Sequence, residues 1–127
     1  LTPPVYFVCL AKGGLFVKLL IMILSDPDVM DRALEKLERR GIRGATILRS
    51  RGMAMELQNY MGGSFLGSLR ASLEPDREEN YTVLMVLPDE KVAEALELID
   101  QVADLDRPGN GIAFTVPVDL TKGIGRL

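Results

Sequence analysis

The chain has 127 residues, 47% of them apolar and 26% charged, with a net charge of −3. That is one domain's worth of polypeptide with material for a real core, which excludes wholesale disorder, and its acidic balance argues against holding nucleic acid by bulk electrostatics. It contains no His and a single Cys, Cys9, so His-based general base catalysis, Cys-His dyads, zinc fingers and disulfide scaffolds are excluded together.

Residues 1–24 carry Lys12 and Lys18 and no acid, a net charge of +2, whereas residues 25–127 have a net charge of −5. The apolar stretches 5–11 and 19–24 fall far short of the roughly 20 residues that a membrane span needs. A signal peptide carries its positive charge ahead of the apolar stretch; here the lysines follow or interrupt it. Lys12-Gly13-Gly14 can be encoded by AAA-GGA-GGN, which has the form of a bacterial ribosome-binding site, and Val17 shortly after it is a residue that a GTG start codon would supply. Residues 1–16 are therefore expected to be a leader or non-native extension, with the domain over residues 17–127. The competing reading has them ordered, against an exposed strand edge.

Leu19-Leu20-Ile21-Met22-Ile23-Leu24 is too short for a helix and suits a buried strand. Ser25-Asp26-Pro27-Asp28 then supplies helix-start chemistry: a capping oxygen, Pro in the first turn and acids at the positive end of the dipole. Met30, Ala33, Leu34 and Leu37 form one apolar face, and Gly41 is a plausible stop. Residues 45–49 read as a second strand and residues 81–87 as a third. Pro88-Asp89-Glu90 opens a second helix, with Val92, Leu96, Ile99, Val102 and Ala103 expected on its apolar face. A turn at residues 106–111 leads into a last strand over 112–118, where Pro117 marks an edge or an end.

This order predicts an α+β domain: a ferredoxin-like βαββαβ arrangement, with a four-stranded antiparallel sheet and both helices on one face. The first and third strands are apolar at consecutive positions, so both of their faces call for burial while the helices cover one. The uncovered face is expected to meet other copies of the chain, the alternatives being a tolerated surface or a cover made by the long connection.

That connection, residues 52–80, is well beyond ordinary loop length. Its first part holds Met53, Met55, Met61 and glycines, a composition suited to an adaptable partner-binding surface; residues 68–73 could make a helical turn, and 74–80 are polar and acidic. A lid over the core is the competing reading. Bases gather just ahead of it: Arg32, Lys36, Arg39, Arg40, Arg43, Arg49 and Arg51 against Glu35 and Glu38. Arg32 and Lys36 read as a solvated helix face. Arg49 and Arg51, where a strand enters the connection, are better placed to hold an anion, as are Lys122 and Arg126 in the tail. Arg107-Pro108-Gly109-Asn110-Gly111 is either an ordinary turn or an anion-binding nest of backbone N–H groups.

Gly41-Ile42-Arg43-Gly44-Ala45-Thr46 with Arg51-Gly52, Leu87-Pro88-Asp89-Glu90-Lys91-Val92, and Gly109-Asn110-Gly111 with Phe114 and Pro117-Val118 follow one another at consistent spacing from Lys18 to about Gly125. In that order they resemble the PII nitrogen-regulatory family, more its divergent PII-like members than the nitrogen regulators proper. The resemblance implies a homotrimer with sheets facing a threefold axis, an adenine nucleotide held between neighbours, and a T-loop over 52–80 that engages a protein partner. By position it implicates Thr46, Arg51, Gly52, Gly109, Asn110 and Gly111 in ligand binding. Arg107, Lys122 and Arg126 are the nearby bases. The chain departs from the family at Ile112, where the regulators have a phosphate-contacting Lys after their Gly-Asp-Gly turn, and at Gly123 and Gly125, where they have arginines. These departures weigh against sensing of 2-oxoglutarate with ATP and Mg²⁺, and leave AMP, ADP or another small anion as fair ligands.

Other functions share the topology. An RNA-recognition domain needs aromatic stacking platforms, and the third strand offers only Tyr81. An acylphosphatase-like enzyme lacks a visible nucleophile–base pair, a CutA-like metal-binding trimer lacks His and Cys ligands, and an ACT-type ligand sensor is poorly distinguished by sequence. The expectation is a cytoplasmic, non-enzymatic trimeric regulator with no metal, no covalent cofactor, no nucleic-acid partner and no membrane insertion.

Overall fold

A computed structural model describes residues 16–53 and 79–125. Six elements follow in the order β1 (Val17–Leu24), α1 (Pro27–Arg39), β2 (Ala45–Ser50), β3 (Asn80–Pro88), α2 (Asp89–Ala103) and β4 (Gly111–Val118). The expectations for residues 1–15 and for most of the 52–80 connection, including a helical turn at 68–73, lie outside the described residues.

The strands form one antiparallel sheet in the order β2-β3-β1-β4, with both apolar strands in the middle. This is the ferredoxin-like arrangement expected from the element order. β1 begins at Val17, two residues ahead of its apolar run, because Val17 and Lys18 pair with strands on both sides: Pro88 and Leu87 in β3, Val118 and Pro117 in β4. Pro117 lies on an edge strand, where a missing N–H leaves one neighbour unaffected.

Local chemistry fixes the helix ends. The Asp26 carboxylate accepts from the Asp28 N–H at 2.9 Å and from the Val29 N–H at 3.5 Å, and Pro27 opens α1. At the other end Gly41 N–H donates to Glu38 O and Ile42 N–H to Leu37 O, both at 2.9 Å, with Gly41 at φ +78°. These two bonds define a Schellman motif, and its apolar clasp is the buried pair Leu37 and Ile42.

The core lies between the sheet and the helices. Leu20, Met22 and Leu24 of β1 and Val83, Met85 and Leu87 of β3 are at most 2% exposed and pack with Met30, Ala33 and Leu37 of α1. From α2 the buried residues are Ala95, Leu98, Ile99 and Ala103, which corrects the expected face. Val92, Leu96 and Val102 are only half-buried. The two alanines let the helix approach closely along the face that also carries Leu98 and Ile99, and this leaves Val92, Leu96 and Val102 at the margin of the core.

The odd-numbered residues of β1 face the other way. The register lines up Val86, Leu19 and Val116; Thr46, Leu84, Ile21 and Phe114; and Leu48, Thr82, Ile23 and Ile112. Among the described residues no helix covers these rows. Their central members are half-buried by their neighbours, and Leu48, Ile112, Phe114 and Val116 at the two edges are 40–52% exposed.

Candidate functional site

The register sorts the sequence-derived candidates into three places. Arg49, Tyr81, Leu24 and Gly111 lie on one line across the sheet. Arg51 and Gly52 therefore leave β2 at the same end of the sheet at which residues 107–111 enter β4. They do so from opposite edges, three strand spacings or about 14 Å apart. Thr46 sits further back on β2, on the uncovered face. Lys122 follows β4, whose last residue pairs with Val17 at the far end of the sheet. Arg126 lies outside the described residues.

Thr46 is not isolated. With Leu19, Leu84 and Val86 of the uncovered face, Arg43 and Gly44 of the α1–β2 loop, and Ile124 of the tail, it lines an apolar groove. The tail thus runs from β4 back toward the loop ahead of β2, which brings the neighbourhood of Lys122 to the neighbourhood of Thr46. Gly123 and Gly125 stand at φ +83° and +70° in this tail. An arginine at either position is strained, so the tail's path and the departure from the family's arginines go together. Leu19, Leu84, Val86 and Ile124 are groove residues that the motif reading leaves out, and Arg43 stands in its first motif without being among its ligand candidates. The alternation of β1 and β3 contains the signal for three of them, whereas nothing local says where the tail returns.

Most of the bases ahead of the connection are already engaged. Lys36 Nζ donates to Gln101 Oε1 at 3.0 Å, Arg39 pairs with Glu35 at 2.6 Å and Arg40 with Glu94 at 3.4 Å. Arg49 reaches Glu79 at 3.9 Å, with its side chain 78% exposed. At that exposure the pair contributes little to stability. Arg43, Arg107 and Lys122 are exposed and make no ion pair among the described residues.

The turn into β4 is tightly made. Asn110 Nδ2 donates to Ala103 O at 3.0 Å and to Asp104 O at 3.1 Å, the carbonyls that end α2. The Leu105 N–H donates to Asp100 Oδ1 at 2.8 Å, the Arg107 N–H to Asp104 O at 3.1 Å and the Asn110 N–H to Arg107 O at 3.2 Å. Two of the turn's backbone donors, the N–H groups of Arg107 and Asn110, are thus already bonded. Gly111 has φ +146°, and a Cβ there would lie 2.5 Å from Leu24 Cδ2 and 2.7 Å from Ile23 O. Only glycine lets β4 approach the end of β1 this closely. Ile112, in the position of the family's lysine, extends its apolar side chain on the uncovered face beside Ile23.

A family model for nitrogen regulatory protein P-II matches residues 18–125. The chain belongs to the PII family. No curated protein matches it. The PII match runs from Lys18, the second residue of β1, through the other described strands and both helices, the whole 52–80 connection and the tail that lines the Thr46 groove. Membership in PII makes the chain a regulatory signal-transduction protein. Among the described residues no helix is long and apolar enough to cross a membrane, and no group of three His, Cys, Asp or Glu side chains could hold a metal ion.

Proposed function

We propose that the chain is a cytoplasmic PII-type regulator that works as a homotrimer. It holds AMP, ADP or a similar adenine-nucleotide-like anion between neighbouring subunits and signals to a protein partner through residues 52–80. The observation that carries this reading is the separation of the candidate residues. The Thr46 groove, the Arg51-Gly52 end of β2 and the 107–111 turn occupy different edges and ends of one sheet. One subunit does not close them around a small ligand, whereas neighbours packed through their uncovered sheet faces can bring one subunit's groove against another's turn.

The apolar rows supply the driving force for such packing. At about 25 cal/mol per Å² of apolar area removed from water, sheet faces of this kind favour association strongly. The groove suits a flat heterocycle, with apolar walls from Leu19, Leu84 and Val86 and a hydroxyl at Thr46, while Arg43, Arg51 and Arg107 supply charge for an anion. Ile112 in place of a lysine, and glycines in place of the tail arginines, reduce the positive charge available to a triphosphate. That favours the ligands with fewer phosphates.

Calorimetric titration with AMP, ADP, ATP and cyclic nucleotides tests the reading. Saturable binding of AMP or ADP with one site per subunit, by a protein of three times the chain mass in light scattering, is the expected result. Heats at baseline across the whole series would leave only a scaffold or partner-binding role. Arg51→Ala and Thr46→Val should each weaken the binding, and unchanged affinity in both would refute the placement of the site.

A further inference from the structure

Asn110 occupies the middle of the Gly-Asn-Gly turn, the position at which a ligand contact is expected from the motif. Its side chain is otherwise engaged. Both of its hydrogen bonds run from Nδ2 to backbone carbonyls, Ala103 O and Asp104 O, at the point where α2 ends on Asp104 in the left-handed conformation at φ 49°. Two carbonyl acceptors fix which end of the amide faces inward, since an oxygen there would be repelled by both. A carboxylate has no proton to give, so the aspartate of the family's Gly-Asp-Gly turn cannot make this contact. With the Arg107 and Asn110 N–H groups bonded inside the turn as well, Arg107, exposed and without an ion pair among the described residues, is the side chain left to meet an anion.

We propose that Asn110 is a positioning residue rather than a ligand contact: its amide latches the turn to the C-terminal end of α2 and so holds Arg107 where it meets the ligand's anionic group. The ligand half of this proposal rests on the nucleotide-binding reading above, and the latch half does not.

The experiment has two arms on the full chain. In the first, without ligand, amide hydrogen exchange is compared for the wild type, Asn110→Ala and Asn110→Asp. Loss of the two donations to the carbonyls that end α2 should speed exchange across residues 105–111 about tenfold in the alanine variant, and further in the aspartate variant, where charge is added beside those carbonyls. Protection in Asn110→Asp equal to the wild type overturns the latch. In the second arm, ADP is titrated at a temperature at which the variants match the wild type in far-UV circular dichroism and in light scattering. Asn110→Asp and Arg107→Gln should each lower affinity about tenfold, and only Asn110→Asp should also change exchange in the turn. Unchanged ADP affinity in a folded, correctly assembled Asn110→Asp overturns the positioning role, and unchanged affinity in Arg107→Gln overturns the assignment of the anion contact. If the wild type itself gives no heat with ADP or the other nucleotides, the nucleotide reading and the Arg107 contact fall with it, while the first arm still decides the latch.

Discussion

Leu20 and Ile21 are neighbours in the same strand, yet they belong to different parts of the protein's energetics. Leu20 is 0% exposed beneath the helices, one of the even-numbered β1 residues that pack with Met30, Ala33 and Ile99. Ile21 lies in the row Thr46, Leu84, Ile21, Phe114, which nothing within the described residues covers. Both faces of the sheet are aliphatic. Within the described chain one is a finished core, and the other is left uncovered, the face through which the proposed assembly would pack.

Charge on the uncovered face separates the two most sharply. Ile21→Asp should abolish assembly, so that light scattering at micromolar concentration gives the mass of one chain, while the circular dichroism of the fold persists. A trimer surviving this change would place the interface elsewhere. Leu20→Ala should lower stability by about 3 kcal/mol in urea denaturation, because it opens a cavity in a closed core. Its loss should not depend on protein concentration beyond what assembly imposes, whereas the loss in Ile21→Ala should shrink as the protein is diluted. If both respond identically to dilution, the distinction between the faces fails.

Smaller effects sharpen the boundaries of the helix-side core. Gly111→Ala forces a methyl against Ile23 O and the Leu24 side chain, and should cost about 2 kcal/mol in thermal or urea unfolding. Asp26→Ala removes the α1 cap and should cost about 1 kcal/mol. Arg39→Ala should change stability by no more than about 0.5 kcal/mol, since its bond to Glu35 is an exposed i,i+4 pair. A cost above 1 kcal/mol there would mean that Arg39 belongs to a larger network.

Much of this fold is legible in the sequence because its signals are local. Asp26-Pro27, Gly41 and the two consecutive-apolar strands act within a few residues of themselves, and the elements appear where those signals stand. The apolar face of α2 is less legible. Leu96 and Val102 look like core by hydropathy, but small side chains at Ala95 and Ala103 decide how closely the helix docks. The candidate site divides in the same way. Thr46, Arg51 and the 107–111 turn can be picked out by motif, but Leu19, Leu84, Val86 and Ile124 join Thr46 through pairing across the sheet and the return of the tail. Asn110 too can be picked out by motif, whereas its donation to the carbonyls that end α2 is visible only in the folded chain.

By itself the sequence determined that the chain is a small aliphatic domain without His, with two strand–helix–strand halves and more apolar strand surface than two helices can cover. Composition, caps and periodicity are enough for that, because each acts over one element. Only the tertiary structure decided which apolar residues are enclosed and which remain on the uncovered face. It also separated the candidate residues to different edges of the sheet, and turned Asn110 toward the end of α2. Those outcomes depend on register and on the distance of approach between elements far apart in the chain, and no single segment carries that information.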